Sequence, residues 1–368
     1  MKQLSPVQTL SKAQARRFLL DHQFLSPPRR LEGRDGIMAF IQHVGCIQYD
    51  PINVVGRNPD LVLQSRIRKY RSEWLEGWLY EGRQLLDGWD KMRSIYHVED
   101  WPYFSHHRAY MQRRYRDPSD ATMKAAPEIL KSLREYGPRS SIDFVHAERL
   151  EWSWGQSSSI AKASLDVLYA MGEIGIHHKI GSRRVFDLID RLVSPELLSL
   201  PDPNPTEEDY QDWHILRRVG GLGLAHAGSS EYWGGMLGIH GSQQRETILT
   251  RLVERGELLP LSIEGLDGRT FYVRTQDEEA LERAKKESRA KPRAAIIGAL
   301  DNLLWDRNLI RWIFEFDYMW EVYKPVAQRK YGYYVLPILF CDRIIGPSEP
   351  TLDLTPNELK IQNWLWEE

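Results

Sequence analysis

SSIAKASLDVLYAMGEIGIHHKIGSRRVFDL, residues Ser158 to Leu188, contains the change of period on which the fold turns. Ser158 to Met171 reads as a helix, and two β-like runs, Ile176 to Ile180 and Arg183 to Phe186, flank Gly181-Ser182 as a hairpin. Ahead of them, Ser140 to Ala147 reads as a short helix and Trp154-Gly155-Gln156 as a turn, giving the order helix, turn, helix, hairpin. The layout recurs after the Pro-rich linker Pro201 to Pro205. There a helix from Thr206 to Val219, the turn Gly220 to Gly223 and a further helix-like region precede a helix from Ser242 to Arg255. Leu258 to Ile263 and Thr270 to Val273 follow as a hairpin about Asp267-Gly268. A helix-turn-helix followed by a β wing is the winged-helix arrangement, whose second helix enters a DNA groove while the wing reaches the backbone. One such unit can also be a scaffold, the lesser of the two readings; a tandem array with a basic wing (Lys179, Arg183 and Arg184, beside His177 and His178) points to nucleic acid.

Toward the N-terminus, Ser11 to Leu20 reads as a helix capped by Ser11, and Asp35 to Val44 as a second with one apolar stripe. The period then changes at Cys46-Ile47-Gln48-Tyr49-Asp50-Pro51-Ile52, a short β-rich run stopped by proline and read as extended. Helices follow over roughly Asn58 to Arg68 and Ser72 to Tyr80, while Arg83 to Asp100 fits strand or loop equally. Toward the C-terminus, a charged stretch from Asp277 to Lys291 gives way to aromatic runs, Trp312 to Phe316, Tyr318 to Val322 and Tyr331 to Phe340, which suit a small closed sheet. The expected fold class is mainly α with β (α+β): tandem winged-helix domains followed by a C-terminal β-barrel. The expected domains are 1–122, 123–200, 201–276, and 277–368 for the linker helix and barrel.

Composition narrows the chemistry. The chain has 368 residues, 42% hydrophobic and 27% charged, ample for packed cores and far from a disordered composition. Tyr331 to Cys341, the longest charge-free apolar stretch near the C-terminus, is too short to span a bilayer, and the N-terminus builds no signal-like apolar core, so a cytoplasmic protein without membrane partners is expected. Two cysteines, Cys46 and Cys341, provide neither a disulfide framework nor a thiolate zinc site. His106-His107 and His177-His178 lack metal-site spacing, and Gly221-Leu222-Gly223 lacks the βαβ surroundings of a dinucleotide loop, so no metal and no cofactor are expected. A net charge of -2 means that any nucleic-acid surface is local.

The triplet Gln48-Tyr49-Asp50 is the candidate for chemistry. In an extended segment residues 48 and 50 point to one side and Tyr49 to the other, which would set Gln48 and Asp50 in a common cleft with Tyr49 anchored beside Ile47 and Ile52. A carboxylate beside a carboxamide can hydrolyse an N-glycosidic bond: Asp50 polarises water and stabilises charge developing on the sugar, and Gln48 orients water or substrate. On the triplet alone the plainer reading stands ahead, with Asp50 a turn residue before Pro51 and Gln48 a surface polar group. Arg57 and Asn58, which follow at once, are candidates for DNA-backbone contacts, with helix capping by Asn58 as the alternative.

Resemblance shifts that balance. IQYDPINVVGRNPDLVLQSRI (Ile47 to Ile67), DNLLWDR (Asp301 to Arg307) and YGYYVLP (Tyr331 to Pro337), together with the winged-helix layout, resemble the YcaQ/AlkZ-type DNA glycosylases over most of the chain. Gln48 and Asp50 resemble the Gln-x-Asp signature of the YcaQ branch, which implies catalytic roles for Asp50 and Gln48. It also implies a monomeric, monofunctional glycosylase acting on double-stranded DNA, with N7-alkylated purines and interstrand crosslinks as substrates. Lys179, Arg183, Arg184, Arg57 and Asn58 are then the expected DNA contacts. A non-catalytic winged-helix regulator is the alternative. The chain departs from the family at Ile345 to Pro350, where a further basic strand of the barrel is expected.

Overall fold

The computed structural model describes residues 8–117, 120–144, 148–152, 157–286, 292–353, 355 and 358–364. It is mixed α and β and resolves into two compact units interleaved along the sequence. One gathers the chain up to Trp74, the segment Asp90–Ser94 and the chain from Gln211 onward; the other holds Leu75–Trp89 and Ile95–Tyr210. The stretch 1–122, expected as one module, contributes to both. Among the described residues no helix is long and apolar enough to cross a membrane.

In the first unit, Ser11 caps the helix Lys12–His22 through a reciprocal capping box with Gln14. The helix buries Ala15, Phe18, Leu19 and Leu20 in a core shared with Leu261, Phe271, Val273 and Leu281 and with Ile310, Ile313 and Phe314. The hairpin Leu258–Ile263 and Phe271–Arg274 forms as expected, preceded by the helix Gly241–Glu254. The N-terminal strand Gln8–Leu10 joins its edge in parallel, and Ala225 bridges Tyr272 on the other side. The helix-like region expected after Gly223 is a loop with one 3₁₀ turn, Glu231–Trp233, anchored by the buried Tyr232 hydroxyl donating to the His226 carbonyl.

The C-terminal expectation requires correction. The strands Ala294–Ile296, Leu336–Phe340, Arg343–Asp353 and Glu358–Trp364 form an open antiparallel sheet in that order, and among the described residues no barrel closes. The aromatic runs Trp312 to Phe316 and Tyr318 to Val322 are not strands either. Ile310–Phe314 is π-helical, and Phe314, Phe316 and Tyr318 enter the core shared with the N-terminal helix. Ile345 to Pro350 lies within the strand Arg343–Asp353, where Pro347 faces Pro337.

In the second unit, Ser159 caps the helix Ile160–Met171 and Gly172 ends it in the left-handed conformation. The hairpin Ile174–Ile180 and Arg183–Leu188 follows, and Arg139–Ser140 pairs with the outer edge of its second strand. Ile129, Leu133, Leu165, Leu168 and Phe186 form the core beneath. The segment that the sequence left open contains the strands Leu85–Asp90 and Met92–His97, of which Asp90–Ser94 belongs to the first unit. The expected turn Trp154–Gln156 lies outside the described residues, as does Ala147.

Buried polar groups tie the N-terminal helix of the first unit to the helix Glu207–Leu222. His22 Nε2 meets the Gly220 carbonyl at 2.7 Å, and Gln23 Nε2 donates to the carbonyls of Gly221 and Leu222. His43 Nε2 lies 3.3 Å from His22 Nδ1, and Asp277, paired with Arg274, stands 3.6 Å from the same atom. Burial, with His43 next, pushes the His22 imidazole down to about 3; burial and Arg274 push His43 down to about 4. Below the ordinary histidine value of 6.5 the unfolded chain therefore takes up protons that the folded chain refuses, so stability falls as the pH drops from 7 toward 4. The expected result is a lower Tm at pH 5 than at pH 7, with a smaller drop in a His43→Gln variant, checked by thermal denaturation across that range.

Candidate active site

Gly45, with φ 81°, ends the helix Gly33–Val44 and turns the chain into the strand Cys46–Gln48. Ile47 is fully buried, and burial pushes the Cys46 thiol up to about 12, which leaves it inert. Four groups of this short backbone are held from outside the strand. Arg217 Nη2 donates to the Gly45 carbonyl (2.8 Å), Asn302 Nδ2 to that of Cys46 (3.0 Å) and Asn58 Nδ2 to that of Gln48 (2.8 Å), while the Tyr49 amide donates to the Arg93 carbonyl (2.8 Å).

The two asparagines are themselves fixed. Asn58 Oδ1 accepts from the Leu300 amide at 3.0 Å, so it bridges the triplet to the segment just before Asp301. Asp301 receives both Nη atoms of Arg66 at 2.7 Å, and neither side chain is exposed to solvent. Arg66 Nε also donates to the Gln23 carbonyl, and its guanidinium lies 4.6 Å from the Phe40 ring centroid. Asp306, at the other end of the same motif, holds His226 and Ser230 and caps the amides of Asn308 and Leu309.

Gln48 and Asp50 are both half-buried. Among the described residues the Gln48 side-chain amide has no hydrogen-bond partner. Asp50 Oδ1 accepts from the Ile52 amide at 2.8 Å, an Asx-type turn, and Oδ2 accepts no hydrogen bond among the described residues. The turn reading and the reactive reading are thus compatible: one oxygen sets the carboxylate, the other is available. Burial raises the Asp50 carboxyl above its ordinary 3.8, opposed by the Ile52 amide and the Arg93 charge. Tyr323 and Tyr334 lie within its field, since burial first and the Asp50 charge second raise both phenols. These tyrosines, with Tyr333, are the site residues that sequence reasoning missed. Tyr333 and Tyr334 stand in the YGYYVLP motif that carried the resemblance, without any role assigned.

The expected DNA contacts fare unevenly. Asn58 is a correction: 1% exposed and spent on the backbone of Gln48 and Leu300, it is a bracket and not a surface group, and Arg57 precedes the helix as its N-cap. Arg57 forms a two-pronged pair with Asp60, to which Tyr70 also donates. Lys179 is likewise corrected: its ammonium is buried between Asp87 and the Tyr80 hydroxyl. Arg184 pairs with Asp166 at 2.5 Å and is largely covered, whereas Arg183 is exposed beside the hairpin turn.

For a metal, His22 Nδ1, His43 Nε2 and an Asp277 oxygen lie within 4.8 Å of one another. The Arg274 guanidinium already donates to Asp277 at 2.7 Å and sets a positive charge at that oxygen, so hydrogen bonding accounts for the cluster.

A family model described as "DNA glycosylase AlkZ-like" matches residues 41–368. Among solved structures, the DNA glycosylase AlkZ of Streptomyces sahachiroi aligns with a TM-score of 0.62 at 15% sequence identity, covering 96% of this chain and 91% of that one, a likeness of fold.

The buried pair Arg66–Asp301 generates a stability prediction. Asp301→Asn leaves an uncompensated guanidinium in the interior and should cost roughly 3–5 kcal/mol, read as a lowered urea midpoint. Replacing Arg66 and Asp301 together by Met and Leu should recover part of that loss.

Proposed function

The chain belongs to the AlkZ-like DNA glycosylase family, and from that premise we propose that it is a monofunctional glycosylase for cationic N7-alkylated purines, with Asp50 as the water-activating carboxylate and Gln48 as its positioning partner. The observation that supports this most is the state of Asp50. The carbonyls of Gln48 and Cys46, just before it, are held by buried asparagines, one of its oxygens is tied to the Ile52 amide, and the other has no hydrogen-bond partner among the described residues.

N7 alkylation makes guanine cationic and a good leaving group, so no general acid is required to protonate it. One carboxylate that deprotonates water and faces the positive charge growing on the sugar is sufficient. Water adds at the anomeric carbon, the C–N bond breaks toward the base, and Asp50 receives the proton. An abasic site remains in an intact strand. Gln48, with a free amide two residues away, is assigned to orient the water or the sugar.

The unhooking of interstrand crosslinks is part of the same proposal, since a crosslinked base cannot rotate out of the duplex and a half-open cleft would act on it in place. For binding, the sheet order Arg139–Ser140, Arg183–Leu188, Ile174–Ile180 beside the helix Ile160–Met171 supports a winged-helix reading of 123–200. Arg183 is then its exposed wing cation, and Arg57 a backbone contact beside the triplet.

Incubation with duplex carrying N7-methylguanine should release the base and leave alkali-labile sites. Asp50→Asn should lower the single-turnover rate by at least ~100-fold with DNA affinity nearly unchanged. The rate should fall as the pH is lowered through a midpoint above the ordinary aspartate value of 3.8, because the base acts only when ionised. Borohydride should trap no covalent adduct; trapping would direct attention to Lys91, whose buried amine is pushed down to about 8 chiefly by burial. Sequence-preferred binding with no base released would favour a regulator instead.

A further inference from the structure

Downstream of the core, the chain from Met319 to Tyr333 has no regular structure beyond one 3₁₀ turn, Val326–Gln328, yet two carboxylates bind its backbone. The carboxylate of Glu321, fully buried, accepts from the amides of Lys330 (3.0 Å) and Tyr331 (2.7 Å) and pairs with Lys324 (2.9 Å). Burial works to raise this group, but the two amides and the ammonium hold it down to about 2. A second carboxylate, Glu349, accepts from the Tyr333 amide at 2.6 Å and from Asn363 at 2.7 Å. Gly332 makes that approach possible: its φ is 134°, and a Cβ there would lie 2.2 Å from the Glu349 carboxyl carbon.

What these two carboxylates fix in place is a set of rings facing water. Tyr323 is 79% exposed and Tyr333 39%, and Arg329 lies 4.9 Å from the Tyr333 ring centroid. The set adjoins the triplet. Ile52, whose amide binds Asp50, packs with Val54 and Val55 on the cluster of Tyr334, Leu61 and Leu336, and Trp320 of that cluster lies 5.6 Å from the Tyr323 ring and 6.3 Å from Tyr334. Large exposed aromatics on a loop stapled by buried charges make no contribution to the core, and a loop held this firmly is typical of a recognition surface.

We propose that Tyr323 and Tyr333 form a stacking platform for the nucleobase presented to Asp50, favouring cationic bases. A flat π-face accepts any base, and a cationic alkylpurine adds attraction to the ring quadrupole, while Arg329 is placed to meet a phosphate. The platform rests on the glycosylase reading for its lesion, but stacking can be observed without base release.

The test uses the full chain and two duplexes, one with 2-aminopurine at the lesion position for fluorescence and one with N7-methylguanine for base release. Wild type should quench the 2-aminopurine on binding. Tyr323→Ala should abolish the quench and lower the single-turnover rate roughly 10-fold, within what base–aromatic stacking supplies. Tyr323→Phe should restore most of both, and Tm should be unmoved because the ring is exposed. Quenching and rate in Tyr323→Ala equal to wild type would overturn the platform. A wild type that quenches without releasing base would sink the glycosylase reading and leave the platform standing.

Discussion

Two buried side-chain amides, Asn58 and Asn302, hold the carbonyls of Gln48 and Cys46, and the course of the backbone into the triplet depends on them. A three-residue strand has too few ladder bonds to hold itself, and a buried carbonyl left unpaired is costly. Asparagine solves both problems at once, because its amide donates to the strand while its oxygen accepts from elsewhere; Asn58 uses the Leu300 amide for this. The Arg66–Asp301 pair then locks the segment that supplies Asn302. Asp301 also caps the Leu303 amide and Arg66 reaches Gln23 at the end of the N-terminal helix, so a fully desolvated ion pair ends with its hydrogen-bonding capacity used. On the other flank, Arg217 joins the Gly45 carbonyl to Asp90, whose carboxylate is held well below the ordinary range: burial opposes, but Arg217, His214 and Arg218 prevail.

How much of this was legible in the sequence depends on how local the deciding interaction is. The Ser11 cap and its helix, the helix up to Val44, the extended Cys46 run and the hairpin around Gly181 all formed, because each is set by residues within one turn or one loop of each other. Failures came where the partner is remote. Asn58 looked like a surface group next to Arg57, but its partner is Leu300, 242 positions away. Lys179 looked like a wing cation, but Asp87, 92 positions earlier, neutralises it. The aromatic runs after Trp312 have strand-like composition, yet the N-terminal core draws Phe314, Phe316 and Tyr318 inward.

The candidate site was legible in part for the same reason. Gln48 and Asp50 could be picked out as a pair because alternation along an extended segment is a two-residue rule. Their tyrosine neighbours could not, since Tyr323 is near Asp50 only by way of a loop shaped by Glu321 and Glu349. A buried glutamate in a Tyr- and Lys-rich loop carries no sequence signature of what it organises. The outcome is a division of labour: buried amides set the backbone around Gln48 and Asp50, and buried carboxylates set the adjacent rings; the proposed chemistry would then fall to Asp50 alone.

The most direct measurement is the structure of an Asp50→Asn variant bound to duplex containing a non-hydrolysable N7-alkylguanine nucleotide. The catalytic assignment predicts the substituted carboxamide within about 3.5 Å of the anomeric carbon or of a water in line with it. A lesion seated away from Gln48 and Asp50, with that carboxamide buried in protein and no path to the sugar, would contradict it.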